Sequence, residues 1–255
     1  MTPFAAIILV WRRYLAVYQK NLVFGITTTF VEPILFLVSF GVGVGSMIGE
    51  IDTGGLHLSY RQFVFAGIAA QTILFQGFFE AAYGSFVRMY YQRIFQAMAM
   101  TPITLSEILW GELLWDATKA STAACAVFLI GVLTGDFRIA GVFLYVLVAF
   151  CASLLFAALG LLSAAKARSI EDISYPQYLL VFPMFLFCGV FFPLATLSPI
   201  VRSVAWVFPL TPVIDVVRAV TLGMPMHIFS PVLILCWIFF LVPLSRRAMM
   251  SRLVK

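Results

Sequence analysis

Long apolar blocks separated by short polar stretches make up this chain. About 20 apolar residues cross the hydrocarbon core of a membrane as a helix. Six blocks meet or approach that length: residues 22–48, 63–86, 110–134, 139–165, 175–192 and 229–244. Ahead of them, Phe4, Ile8, Trp11, Leu15 and Tyr18 recur at three- and four-residue spacing, with Arg12, Arg13, Gln19 and Lys20 between them. That pattern predicts a helix lying in the membrane interface over residues 1–20. Its arginines follow the apolar core instead of preceding it, so it does not read as a secretory signal.

The longest interruption is residues 88–107. Tyr90, Tyr91, Ile94, Phe95 and Met98 form an apolar helical face, with Gln92, Arg93 and Gln96 polar. Thr101-Pro102 ends this helix, since proline pushes the preceding residue out of the α region. Ser106 is the expected cap of the next helix. A second irregular stretch, residues 193–223, is apolar but holds Pro193, Pro199, Arg202, Pro209, Pro212, Asp215, Arg218 and Gly223. Charges at the centre of a span cost roughly 2.5–3.5 kcal/mol each on insertion scales. Two short helices that dip in and return fit better than a crossing, with Asp215 and Arg218 able to pair at i, i+3. Glycines 41, 43, 45 and 49 predict close approach or a bend at the end of the first span.

Six spans put both termini on one side. Eleven Lys and Arg residues then lie on that side, and Arg61, Arg138, Arg202 and Arg218 lie opposite. The positive-inside rule makes the termini cytosolic and the segment 88–107 a cytosolic loop. The basic tail, Arg246, Arg247, Arg252 and Lys255, agrees with an even number of crossings.

Composition adds an exclusion. Of 255 residues, 63% are hydrophobic, 26 are Phe and only 11% are charged. No soluble domain hides that much apolar surface. Ten-residue alternating strands are absent, so the fold class is an all-α membrane bundle and not a barrel. The net charge of +5 is scattered between spans, which argues against a nucleic-acid partner. Cys125, Cys151, Cys188 and Cys236 sit in apolar runs and read as small hydrophobes. His57 and His227 have no ligating neighbours in sequence, so no metal site is expected.

No catalytic constellation stands out, and no Gly-Lys pair marks a nucleotide-binding loop. What stands out is ionisable residues in or near spans: Glu32, Glu80, Glu112, Asp116 and Lys119. The last three share one helical face. They form either a charge network that changes partners as the bundle opens or a static interhelical ion cluster. A secondary transporter or channel using these carboxylates for ion coupling is the alternative reading of function. The aromatic run at residues 181–194 either lines a pathway for a lipid-like substrate or faces acyl chains.

The run QRIFQAMAMTPITLSEILWGELLWDATKA, residues 92–120, resembles the corresponding loop of type-2 ABC export permeases. It is nearest to the nodulation-factor (lipo-chitooligosaccharide) exporter subgroup, whose pattern runs through T-P-x-T-L, then G-E, then A-T-K-A. Gln96 departs from it, standing where the subgroup usually has Glu. A second signature is similar at Gly189, Phe192, Pro193, Pro209, Leu210, Thr211, Arg218 and Gly223, and Glu32-Pro33 also fits. The resemblance covers essentially the whole chain. It implies a single permease domain over residues 1–255, with six transmembrane helices, an interfacial helix (1–20), a cytosolic coupling segment (88–107) and a re-entrant outer hairpin (193–223). It further implies a homodimer in a bacterial inner membrane, with two copies of a separate ABC ATPase that bind the ATP and Mg. The permease itself carries no cofactor and exports an amphipathic substrate such as a lipid-linked or acylated glycan. Tyr90, Tyr91, Arg93, Phe95, Met98, Thr101 and Pro102 are then the expected ATPase-coupling residues.

Overall fold

The computed structural model describes residues 2–53 and 56–253, which form a helical bundle with one small hairpin. Gly54-Gly55, in the polar stretch after the first block, and Lys255 of the basic tail lie outside the described residues. Helix α1 spans Pro3–Lys20. α2 (residues 22–48) begins as α-helix over Leu22–Phe36, widens to π-helix over Leu37–Val44 and ends in the turn Gly45–Ile48. The glycines of its last turns thus accompany widened helix, and Gly49 leaves it at φ 70°. β1 (Glu50–Thr53) and β2 (Leu56–Ser59) then pair antiparallel, Glu50 opposite Ser59, where the sequence predicts only a loop.

α3 (Tyr60–Tyr91) is followed by the short α4 (Ile94–Ala99), then α5 (Leu105–Leu133) and α6 (Ile139–Lys166). α7 (residues 174–187) runs through Ser174–Pro176, π-helical Gln177–Val181 and Phe182–Phe187. α8 (Pro199–Val207) and α9 (Leu210–Leu222) meet at 90°, and α10 (Ser230–Leu253) closes the bundle. Among the described residues, five helices are long and apolar enough to cross a membrane, or six if the bent pair α8–α9 counts as one. α7 is not among them. The block 175–192 predicts a full span, but helix stops at Phe187, after roughly 20 Å of rise. The last residues of that block bend away, and Gly189 takes a positive φ of 88°.

α3 is the central element. Its apolar window is 83% buried, against 12% for α2, which lies at the edge. α6 packs on α3 closely because Gly160 has no side chain. A Cβ there would lie 2.4 Å from the Phe78 carbonyl oxygen and 3.0 Å from the Ala82 nitrogen. Small residues at such crossings let helices meet without a hydrophobic drive, since lipid is equally apolar.

Capping boxes start α3 and α5. Ser59 Oγ accepts from Gln62 N (3.2 Å), while Gln62 Oε1 accepts from Ser59 N (3.3 Å). Thr104 and Glu107 repeat the motif: Glu107 Oε2 accepts from Thr104 N at 2.7 Å. Ser106 is therefore not the cap. It is the second helical residue, where its Oγ accepts from Arg246 Nη2 (2.6 Å). The Thr-x-x-Glu spacing is itself a capping-box signal in the sequence, and it outranks the isolated hydroxyl of Ser106. Thr104→Ala is expected to lower the melting temperature by about 2–4 °C, measured by thermal unfolding in detergent.

Polar contacts mark the two ends of the bundle. At one, Arg61 pairs with Asp136 (2.6 Å) and Arg138 N donates to Thr221 O (2.9 Å). At the other, Arg252 Nη1 donates to the carbonyls of Ala164 (2.8 Å), Ala165 (3.1 Å) and Ala167, capping the end of α6. Beyond α6, Asp172 accepts from the backbone N–H groups of Arg168 and Ser169, which hold its carboxyl below the usual range.

Candidate functional site

Near the end that holds α4, five charged side chains from α3 and α5 meet around Arg88. Its Nη1 lies 2.9 Å from Glu80, and its Nη2 lies 2.6 Å from Glu112 and 3.0 Å from Asp116. Lys119 closes the cluster on Glu80 at 2.5 Å. Ser85 Oγ donates to Glu112 at 2.6 Å. The side chains of Glu112 and Asp116 are fully buried, and that of Arg88 is 13% exposed. Glu80 and Arg88 are eight residues apart, outside ordinary α-helical pairing. π-helical turns at Glu80–Gly84 and Val87–Tyr91 alter that spacing.

α1 lies over this cluster. The Tyr14 ring centroid is 5.2 Å from the Arg88 guanidinium, and the Tyr18 ring centroid is 5.5 Å from Lys119 Nζ. Trp11 Nε1 donates to Thr118 Oγ1 (3.2 Å), and Trp115 packs against both tyrosine rings. Gly111 permits the approach, since a Cβ there would meet Val10 at 2.6 Å. A cavity of about 510 Å³ between α1 and α3 reaches Glu80, Arg88 and Lys119.

With all five groups ionised, three carboxylates face two cations. Among the described residues, the Tyr14 hydroxyl and Glu112 Oε2 have no hydrogen-bond partner of good geometry. Such a cluster is stable only while its cations stay, because unpaired buried charge is expensive. The structure brings together four of the five ionisable residues singled out in the sequence. It adds Arg88, Ser85 and Tyr14, which the sequence reading missed. Arg88 had looked like the first residue of a polar loop, and only its contacts to residues 24 and 28 positions away reveal it. Glu32 does not join. It lines a separate groove with Phe36 and Phe40 and makes no ion pair among the described residues.

From the cluster, α3 runs one further turn to an exposed corner. Tyr90 and Tyr91 are 55% and 60% exposed, and Met100 is 90% exposed. Arg93 turns the corner at φ 51°, the one positive-φ non-glycine among the described residues. The predicted continuous face from Tyr90 to Met98 is therefore broken. The two tyrosines end α3, while Phe95 and Met98 belong to α4 and point into the core. Thr101 and Pro102 are exposed in the turn that follows.

At the opposite end, the 90° bend of α8–α9 frames a cavity of about 600 Å³. Pro193 lines it and Pro209 forms the bend. Gly223 ends α9 at φ 74°, with Arg138 packed where its Cβ would be. The i, i+3 pairing of Asp215 with Arg218 does not form. Asp215 instead accepts from His227 N (2.9 Å) and Ser230 Oγ (2.6 Å), with His227 Nδ1 at 3.1 Å. These partners lie beyond α9, too far along the chain for helical spacing to indicate. Arg218 turns to the backbone of α3 and of the bend after α7.

A model of the ABC-2 type transporter family matches residues 5–222. Nodulation protein J of Rhizobium meliloti (strain 1021) is 32% identical over 219 residues, which is 86% of this chain and 82% of that protein. Nodulation protein J of Rhizobium leguminosarum bv. viciae is 32% identical over 235 residues, 92% of this chain and 89% of that one. The inner membrane transport permease YadH of Escherichia coli (strain K12) is 22% identical over 221 residues, 82% of this chain and 86% of its own.

Proposed function

Because the chain belongs to the ABC-2 type transporter family, we propose that it is the membrane subunit of an exporter driven by a separate ATPase. The observation that carries this reading is the link between the exposed corner and the charge cluster. Tyr90 and Tyr91 end the same helix whose Arg88 grips Glu112 and Asp116 of α5. A push on the corner would act on α3 and α5 together. Phe95 and Met98, buried beneath α4, would pass that push inward. The soluble partner would touch Tyr90, Tyr91, Arg93, Thr101 and Pro102. ATP and Mg would be held by that partner, in two copies.

The ends carrying α4 and both termini face the cytosol of a bacterial inner membrane, and α1 lies in the interface. α7 is the sixth, shortened crossing, and α8–α9 re-enter from outside. A second copy of the chain covers the exposed side of α2, whose apolar window is only 12% buried. The cargo is amphipathic, a lipid-linked or acylated glycan, the substrate class that the resemblance to nodulation-factor exporter permeases implies.

Arg93→Glu tests the coupling. The side chain is exposed and makes no ion pair among the described residues, so folding should survive. Export by the reconstituted complex is expected to fall at least about tenfold, as for a central interface residue, while the permease still inserts. Unchanged ATPase docking and unchanged export per ATP would refute the assignment. Two fully buried carboxylates favour a second reading, ion-coupled transport. It requires gradient-driven transport by the purified chain with no ATPase present.

A further inference from the structure

The 600 Å³ cavity framed by α8 and α9 takes no part in the coupling just described. Its charged lining groups are Arg202, Asp215, Arg218 and His227, and Phe63 and Trp206 supply aromatic walls. We propose that this cavity binds one anionic group, a phosphate or carboxylate carried on a larger body. The side of the membrane it faces rests on the topology proposed above; the site itself does not.

Arg218 is the core of the argument. It is only 7% exposed and has no carboxylate partner among the described residues. Its three hydrogen bonds all leave Nη2, for the carbonyls of Gly189 (2.7 Å), Val190 (3.3 Å) and Phe63 (3.4 Å). The Phe63 ring lies 3.6 Å from the guanidinium carbon. Nε has no partner. A guanidinium has five N–H donors in a fixed fork suited to two oxygens of one anion. Here a single nitrogen is committed to the fold, and the carbonyl dipoles and the ring only partly compensate the charge.

The neighbouring acid does not neutralise it. Asp215 is one turn away, but its oxygens are taken by His227 and Ser230, which tie the start of α10 to α9. Arg202, exposed on α8, lines the same cavity and makes no ion pair among the described residues. Two guanidiniums against one occupied carboxylate leave the cavity at least one positive charge in excess. The Asp215 carboxylate already meets three donors, whereas an anion would meet unused donors. The volume far exceeds that of an inorganic ion and falls within the range of small-molecule sites. A lipid headgroup and a free anion share the chemistry, and the experiment separates them.

The purified full-length chain in neutral detergent is titrated with short-chain phosphatidylglycerol, with phosphatidylcholine of the same chain length and with inorganic phosphate, and bound ligand is read by native mass spectrometry. Phosphatidylglycerol is expected to bind at least about tenfold more tightly than phosphatidylcholine, and Arg202→Gln to weaken it about tenfold, the scale of one charge-assisted hydrogen bond. Arg218→Gln is expected to weaken it further. Because Arg218 also holds Gly189 and Val190, the exposed Arg202 variant serves as the test if Arg218→Gln does not fold. Competition by phosphate identifies a free-anion site and its absence a headgroup site; both support the proposal. Equal binding of the two lipids overturns it, as does wild-type affinity in the folded Arg202 variant. Neither result touches the coupling of Arg93, which is read separately as export.

Discussion

Arg88→Gln is expected to destabilise the protein by about 3–5 kcal/mol, the cost of removing one partner from a buried charge cluster. The glutamine keeps part of the volume and some hydrogen-bonding capacity, so the loss is chiefly that of charge. Glu80, Glu112 and Asp116 would then face Lys119 alone, and Lys119 reaches only Glu80. Glu112 and Asp116, both without solvent access, would lose their only cation among the described residues. The converse change has a much smaller expected effect. Asp116→Asn removes one of three negative charges, leaves two against two, and keeps an oxygen for Arg88. It should cost no more than about 1.5 kcal/mol, a single hydrogen bond. Unfolding midpoints in detergent check both. If the two variants melt alike, charge balance is not what holds α3 to α5. If Arg88→Gln melts with the wild type, the cluster contributes nothing.

Gly160→Val is expected to cost about 3 kcal/mol, the upper part of the range for overpacking. The atoms that a Cβ would strike are the Phe78 carbonyl oxygen, the Ala81 Cβ and the Ala82 nitrogen. Two are backbone and the third is a methyl group fixed to backbone, so no flexible side chain can give way. α6 would have to move off α3, along the most buried helix in the bundle. Gly160→Ala should show the same effect in smaller measure. Gly43→Ala is the control: its nearest neighbour is the Val38 oxygen at 4.0 Å, and alanine there should be neutral or slightly stabilising. Protease resistance and melting temperature of the purified chain separate the outcomes. Equal stability of Gly160→Val and Gly43→Ala would mean that the α3–α6 crossing is looser than these distances.

Most elements could be read from the chain alone. An apolar run of spanning length and a Thr-x-x-Glu box express free energies that are local, the transfer of a helix into lipid and the satisfaction of its first N–H groups. The long helices α3, α5, α6 and α10 therefore appear where the hydrophobic pattern puts them. The amphipathic period of residues 4–18 likewise yields α1. Length failed at α7, where a bend after Phe187 ends the helix inside an apolar run that looks uniform by composition.

Partner choice was decided only by the tertiary structure. Glu32 and Glu80 look alike in sequence, yet Glu80 joins Arg88 and Lys119 while Glu32 faces a groove. Asp215 passes over Arg218, three residues away, for His227 and Ser230. In each case the rival geometries differ by contacts between segments far apart in the chain. In a low-dielectric interior the arrangement that leaves fewest charges and donors unmatched prevails, and helical periodicity carries no information about which arrangement that is.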